Sequence, residues 1–386
     1  MKFAVVGLFA TLALVLPAQQ PAAEKKASPT SAAGKAAPAE APKAAPAPAP
    51  AEPSQRRQYN YVYDLNGQPV PSVPQVQEQR SGTESGMVIQ RVEKAPTING
   101  GEAPSRAVEE RVVRAAPGNE TSERIIQRYD PNGRPTGKLV IKSQKQTLPD
   151  GSVVSTEVTY QQDLNGNMQF VERRVTNEKK TSTGATATTT VERPSVNGGT
   201  QVVERIDRTD TKRGEAVTES VSSHKVLDAN GSFTERDREL TIATQQGDIT
   251  TTHTKQWQLG ATGQLDFVSQ TLSHLTQKPD GSQVEDKQVY STRIAGTTAD
   301  LNNPDRPTLE SETHRERKVQ PDGKIIETTT ERMREVVDPT RLSGLMKTEQ
   351  VITPTAQGKS IETTVYQRDA NGRVVPVRKE FEEDKK

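Results

Sequence analysis

Residues Leu148–Val175 read LPDGSVVSTEVTYQQDLNGNMQFVERRV, and this stretch decides the fold. Leu148-Pro149-Asp150-Gly151 places Pro where φ must lie near −65° and Gly where φ is free to be positive. That combination specifies a type I turn closed by a glycine bulge. Val154, Thr156, Val158 and Tyr160 then alternate with polar residues, the period-2 pattern of a half-buried strand. Asp163-Leu164-Asn165-Gly166 makes the next turn, and Val171 and Val175 continue the stripe on the strand that returns. A register centred on Asn165-Gly166 sets Tyr160 against Val171 and Thr156 against Val175, so the two apolar rows meet.

The same grammar recurs outward in both directions. Asn-Gly turns stand at Asn66, Asn99, Asn132, Asn165, Asn197 and Asn230, so successive Asn positions differ by 33, 33, 33, 32 and 33 residues. A second Gly-containing break lies near the middle of each interval, as at Asp150-Gly151 and Arg213-Gly214. The rhythm continues through Asp280-Gly281, loosens around Asn302 to Pro307, and resumes at Asp322-Gly323 and Asn371-Gly372. Fixed-period self-similarity predicts a repeat in which each unit covers its face on its neighbours. The expected fold is therefore all-β: a long antiparallel hairpin meander of about 33 residues per hairpin, forming an open or rolled sheet. Leu309 to Arg317 and Thr328 to Val337 are charged enough for helix, but they keep the turn rhythm and read as strands.

Composition excludes a thick globular core. Hydrophobic residues make up 31% and aromatic ones 4% of the 386-residue chain, and mean hydropathy is −0.77, so little apolar surface can offset the ordering entropy of about 1–2 kcal/mol per residue. Lys and Arg number 51 against 50 Asp and Glu, which leaves no basic field for nucleic acid. Cysteine is absent. That removes disulfides, thiolate catalysis and the lipid-bearing cysteine of a bacterial lipoprotein.

The N-terminus carries an address. Met1–Ala18 holds one charge at Lys2, an apolar run from Phe3 to Leu16 and small residues beyond it, the pattern of a secretory signal peptide. Residues 19–55 form an Ala/Pro-rich linker that cannot build a core and would extend to roughly 110 Å as polyproline-type chain. Residues 56–386 form the β-repeat domain.

No catalytic, cofactor-binding or metal-binding residues can be assigned, and no cofactor is expected. His224, His253, His274 and His314 are scattered singly, without zinc-site spacing; His253 and His274 lie on neighbouring hairpins near Trp257. Turns such as Asp228-Ala229-Asn230-Gly231 open like calcium loops but lack the later acidic ligands. Glu235, Asp237 and Glu239 alternate with Arg236 and Arg238, as cross-strand ion pairs require.

Tyr129-Asp130-Pro131-Asn132-Gly133-Arg134 resembles the kernel of YD-repeat (Rhs-type) proteins, and Tyr63-Asp64-Leu65-Asn66-Gly67 and Asp369-Ala370-Asn371-Gly372-Arg373 are similar fragments. The resemblance implies a secreted or surface β-structure that spirals into a shell, although the 33-residue period departs from that family's closer spacing.

These readings point to an exported, non-catalytic structural or interaction protein of the cell envelope or surface. It would offer an extended polar sheet to a protein or polysaccharide partner, bind no nucleic acid and stand outside the membrane once its signal peptide is cleaved. A secreted glycan-active enzyme with a hidden carboxylate pair is the competing class. An outer-membrane β-barrel is a third, opposed by the scarcity of aromatic residues, by strands such as Gln201–Asp210 charged on both faces, and by a C-terminus, Phe381 to Lys386, that reads as a charged tail.

Overall fold

The computed structural model describes residues 51–64, 67–83, 85–97, 101–116, 118–292, 307–334, 342–369 and 371–385. The expected signal peptide, the linker as far as residue 50 and the breaks near Asn99, Asn302 and Pro339 lie outside them. Among the described residues the chain is strand and turn. The strands are β1 (Ala51–Tyr63), β2 (Pro69–Thr83), β3 (Gly86–Pro96), β4 (Glu102–Ala116), β5 (Asn119–Tyr129), β6 (Pro135–Thr147) and β7 (Val153–Gln162). They continue with β8 (Met168–Thr181), β9 (Gly184–Pro194), β10 (Thr200–Arg213), β11 (Val217–Leu227), β12 (Phe233–Gln246), β13 (Ile249–Leu259) and β14 (Leu265–Gln277). The last six are β15 (Gln283–Ser291), β16 (Thr308–Val319), β17 (Ile325–Arg334), β18 (Leu342–Thr355), β19 (Gly358–Arg368) and β20 (Val374–Lys385).

Each strand pairs antiparallel with the one before and the one after it, and β1 pairs with β20 over eight partners, from Gln55↔Lys385 to Val62↔Arg378. The sheet is thus a closed barrel of 20 strands. This corrects the open or rolled sheet. The recurring step is also smaller than expected: every strand is joined equally to both neighbours, so the unit is one strand of 9 to 15 residues with its turn, not a 33-residue hairpin. What looked like a charged C-terminal tail is the closing strand, its acidic residues set against Gln55–Val62.

The turns follow their sequence. At the β5–β6 turn, Gly133 N–H donates to the Asp130 carbonyl at 2.9 Å and Asp130 N–H to the Arg134 carbonyl at 2.8 Å. Gly133 has φ +78°, a conformation costly for any residue with a Cβ. Beyond this rim the returning strand often bulges. Thr156↔Val175 pair as expected, but the bulge moves Tyr160 onto Phe170 instead of Val171.

Two observations identify the inward face. Side chains converge on the concave side of a curved sheet, and Val76, Glu78, Val112, Ile126 and Val191, all at least nine-tenths covered, share one face; Val140 on the other is the exception. The ladder also climbs. Partners run Arg56, Glu78, Arg91, Val108, Ile126, Leu139, Gln161, from the middle of β1 to the end of β7. With right-handed strand twist, that stagger puts the same face inside. A circular barrel of 20 strands spaced 4.8 Å apart and tilted about 40° has a backbone diameter of about 40 Å.

Candidate functional site: the barrel wall

The inward wall is polar and its charges are joined. The longest chain of contacts crosses five strands, β8 to β12. Arg174 lies 3.3 Å from Glu172, and Arg193 reaches Glu172 at 3.0 Å and Glu204 at 2.9 Å. His224 stands 3.4 Å from Glu204 through Nε2 and 3.0 Å from Asp237 through Nδ1. The Nε2 contact is close enough for ionic attraction but is not aligned as a hydrogen bond. Local sequence explains the chain: Glu172/Arg174 and Val191/Arg193 are i, i+2 pairs, so alternation sends both members of each pair inward.

A second inward network joins Ser273 Oγ, which donates to Glu285 at 2.9 Å, with Arg315, which pairs with Glu327 at 2.9 Å and lies 3.9 Å from Glu285. A shallow recess on the inner wall is lined by Glu120, Lys145, Glu157 and Arg174. Acids and bases are thus interleaved along the inner wall, between inward apolar residues such as Val112, Ile126 and Val191.

The outward face is mixed. It carries ion pairs of its own: Asp207 holds Arg205 at 2.9 Å and Lys225 at 3.1 Å, and Arg238 meets Glu235 at 2.7 Å. It also carries the aromatic residues. Of 14 in the chain, Phe3 and Phe9 lie outside the described residues, and the remaining twelve all alternate onto the outward face. Ten stand within three residues of the strand ends at one rim, the rim of the β5–β6, β7–β8 and β13–β14 turns. Tyr160 and Phe170 meet edge to face with centroids 6.2 Å apart, as do Trp257 and Phe267 at 6.0 Å. Sequence reasoning missed this because it counted aromatic residues, which are few, without assigning each one its strand parity.

The histidines do not form a shared site. His253 and His274 both face outward, but His253 bonds Gln270 at 3.3 Å and His274 bonds Thr251 at 3.1 Å. Among the described residues no cluster of three or more His, Asp or Glu could hold a metal ion. The Asp-x-Asn-Gly turns use their carboxylates internally. Asp163 accepts from the N–H groups of Asn165 and Asn167 at 2.9 and 2.8 Å, and Asp228 from those of Asn230 and Ser232 at 2.9 Å. Those bonds hold both carboxyls below the usual carboxylate range, the N–H of Asn167 acting most strongly on Asp163 and that of Ser232 on Asp228.

No family model matches the chain, and no curated protein matches it. Among solved structures it is similar to OccK7 (OpdD) of Pseudomonas aeruginosa, at 8% identity and TM-score 0.40 over 87% of this chain and 99% of that one. It is also similar to a BenF-like porin from Pseudomonas fluorescens Pf-5, at 8% identity and TM-score 0.38 over 86% and 97%. The YD-repeat resemblance is corrected by the closure of the sheet: the Tyr-Asp turns cap neighbouring strands of a closed meander, whereas a shell of that family spirals.

Closure also overturns the role expected from sequence. A polar sheet that receives a partner strand needs a free edge, and β1 and β20 occupy each other's. The expectation of a protein standing clear of the membrane relied on scarce aromatic residues, on strands charged on both faces and on a charged tail. The twelve outward aromatic side chains and the closing strand answer the first and the last, while β10 does carry charges on both faces, Arg205 and Asp207 outward and Glu204 and Arg208 inward.

Proposed function

We propose that the chain is a β-barrel of the outer-membrane kind, a non-enzymatic pore whose water-filled lumen passes polar solutes. The observation that carries this reading is the closed 20-strand sheet around a charged, hydrogen-bonding interior. Closure leaves no unpaired ladder, the condition for strands to enter lipid. Strands of about 12 residues tilted by about 40° rise roughly 30 Å, enough for an apolar layer about 25 Å tall. Barrels of 16 to 18 strands already hold aqueous channels. The outward charges bear on how the wall meets lipid, since an unpaired Arg or Lys costs about 2–4 kcal/mol at the bilayer midplane; several of these charges are instead held in pairs within 3.1 Å.

The test is conductance. Full-length chain refolded from detergent into a planar bilayer should give stepwise, ohmic ion currents. A protein that folds as β-sheet yet gives no steps in bilayers with or without anionic lipid would end the pore reading.

A further inference from the structure

His224 is the one histidine on the inner wall; His253, His274 and His314 alternate outward. Both of its ring nitrogens face carboxylates. Nδ1 bonds Asp237 at 3.0 Å, whereas Nε2, 3.4 Å from Glu204, is shut off from solvent and has no hydrogen-bond partner. A neutral imidazole carries one N–H and one lone pair. With the N–H given to Asp237, the lone pair of Nε2 meets a carboxylate oxygen, acceptor against acceptor. A proton on Nε2 turns that contact into attraction, and the ring then sits as a cation between two acids.

The surrounding charges leave that place for a proton. Along the five-strand chain, Arg174 and Arg193 stand against Glu172, Glu204 and Asp237, so the chain is neutral only when His224 is protonated. From β10 the ring also faces Arg208, which Asp210 holds at 2.9 Å. From β12 it faces Glu239, which accepts from Gln256 at 2.9 Å. Arg236, the bulge residue of β12, is exposed and in no ion pair among the described residues. The inward neighbours on its own strand, Ser222 and Val226, carry no charge. On β13 and β14 the inward residues are hydroxyls, amides, Leu275, Ala-free of any base, and Asp266; the next inward cation is Lys287 on β15.

We infer that His224 is a proton-binding site of the lumen wall and that its proton sets the pore's preference between small cations and small anions. As pH rises and the proton leaves, the wall gains one net negative charge and the preference moves toward cations. The inference rests on reading the barrel as a pore, and it names the residue through which that pore answers to pH.

The chain has four histidines, so two variants isolate the effect. His224→Gln removes the inward one, and His253→Gln with His274→Gln and His314→Gln leaves it alone. One elementary charge in a lumen of this width amounts to about 0.1 M, so in about 0.1 M potassium chloride the potassium-to-chloride permeability ratio should rise about twofold between about pH 5.5 and pH 8, where histidine is the side chain that changes charge. The full-length chain and the triple variant should show that rise, and His224→Gln should be flat. Nitrogen-15 spectra of the triple variant in detergent should show both ring nitrogens protonated at the acid end and the Nδ1–H tautomer at the alkaline end, because Asp237 holds Nδ1. A His224→Gln pore that still follows pH, a triple variant that does not, or an Nε2–H tautomer overturns the inference. The Nδ1–H tautomer without conductance would end the pore and leave the proton site standing; conductance indifferent to His224 would do the reverse.

Discussion

Closure of the sheet rests on one seam, and the absence of cysteine makes that seam testable without background. Gln58 and Glu382 are partners across β1 and β20. Both point inward, and the alternation of the ladder makes them a non-hydrogen-bonded pair, whose Cα atoms stand about 4.5 Å apart, within disulfide range. Gln58→Cys with Glu382→Cys should therefore oxidise to a single bridge. The loop it closes is 382 − 58 = 324 residues long, and the chain-entropy relation assigns such a loop about 6 kcal/mol of stabilisation. Two native contacts are lost: the Arg56–Glu382 pair at 2.7 Å and a 3.3 Å bond from Gln58 to Asn60. Both are partly exposed, so their loss costs about 1–2 kcal/mol. The bridge wins by a margin of several kcal/mol. The assay is non-reducing gel mobility followed by guanidinium unfolding of the oxidised and reduced forms. A variant that stays reduced under an oxidant that bridges a control pair such as Gln79→Cys with Gln90→Cys, partners on β2 and β3, would show that β1 and β20 are not neighbours, and the barrel would be refuted with it.

Other outcomes follow from single residues. Val191 is fully buried on the inner wall, so Val191→Ala should cost about 2 kcal/mol in denaturant titration, whereas Val113→Ala, half exposed, should stay within about 0.5 kcal/mol. Gly166 holds φ +87°, and Gly166→Ala should destabilise by roughly 1 kcal/mol in the same titration, with the strands otherwise intact. Asp163 and Asp228 have folded-state pKa values below their unfolded ones. Their contribution is complete above the ordinary carboxylate pKa of about 3.9 and is lost as pH falls through the lowered folded value. Asp163→Asn with Asp228→Asn should therefore flatten the acid limb of a stability–pH curve by lowering its neutral plateau, with stability at the acid end little altered. Arg193→Gln removes one positive charge between Glu172 and Glu204, and the reversal potential across a salt gradient should move toward cation preference.

Strand and turn were legible because they are local. Asp130-Pro131-Asn132-Gly133 specifies its turn with no help from the rest of the molecule, and the alternation between turns makes strands on either side of it. Closure was not legible, because whether Arg56 meets Glu382 depends on the summed twist and stagger of all the strands between them, and no short window contains that sum. Val171 marks the boundary between the two kinds of information. A hairpin register alone pairs it with Tyr160, and only the bulge beyond the turn delivers Phe170 instead. That one-residue shift has a consequence for the outer wall. It keeps Tyr160 and Phe170 on the same outward face, edge to face, and the bulge between Gln256 and Trp257 does the same for Trp257 and Phe267. Without the bulge each pair would lose one aromatic member to the lumen, since a slip of one residue turns a side chain to the other face. The bulges are thus what keeps both members of these aromatic pairs on the outward side of one rim. Deleting Val171 tests this: the ladder then runs without a bulge, Glu172 against Thr159 and Phe170 against Tyr160, so the edge-to-face pair and its near-ultraviolet circular dichroism should survive, and loss of that signal would refute this account of the extra residue.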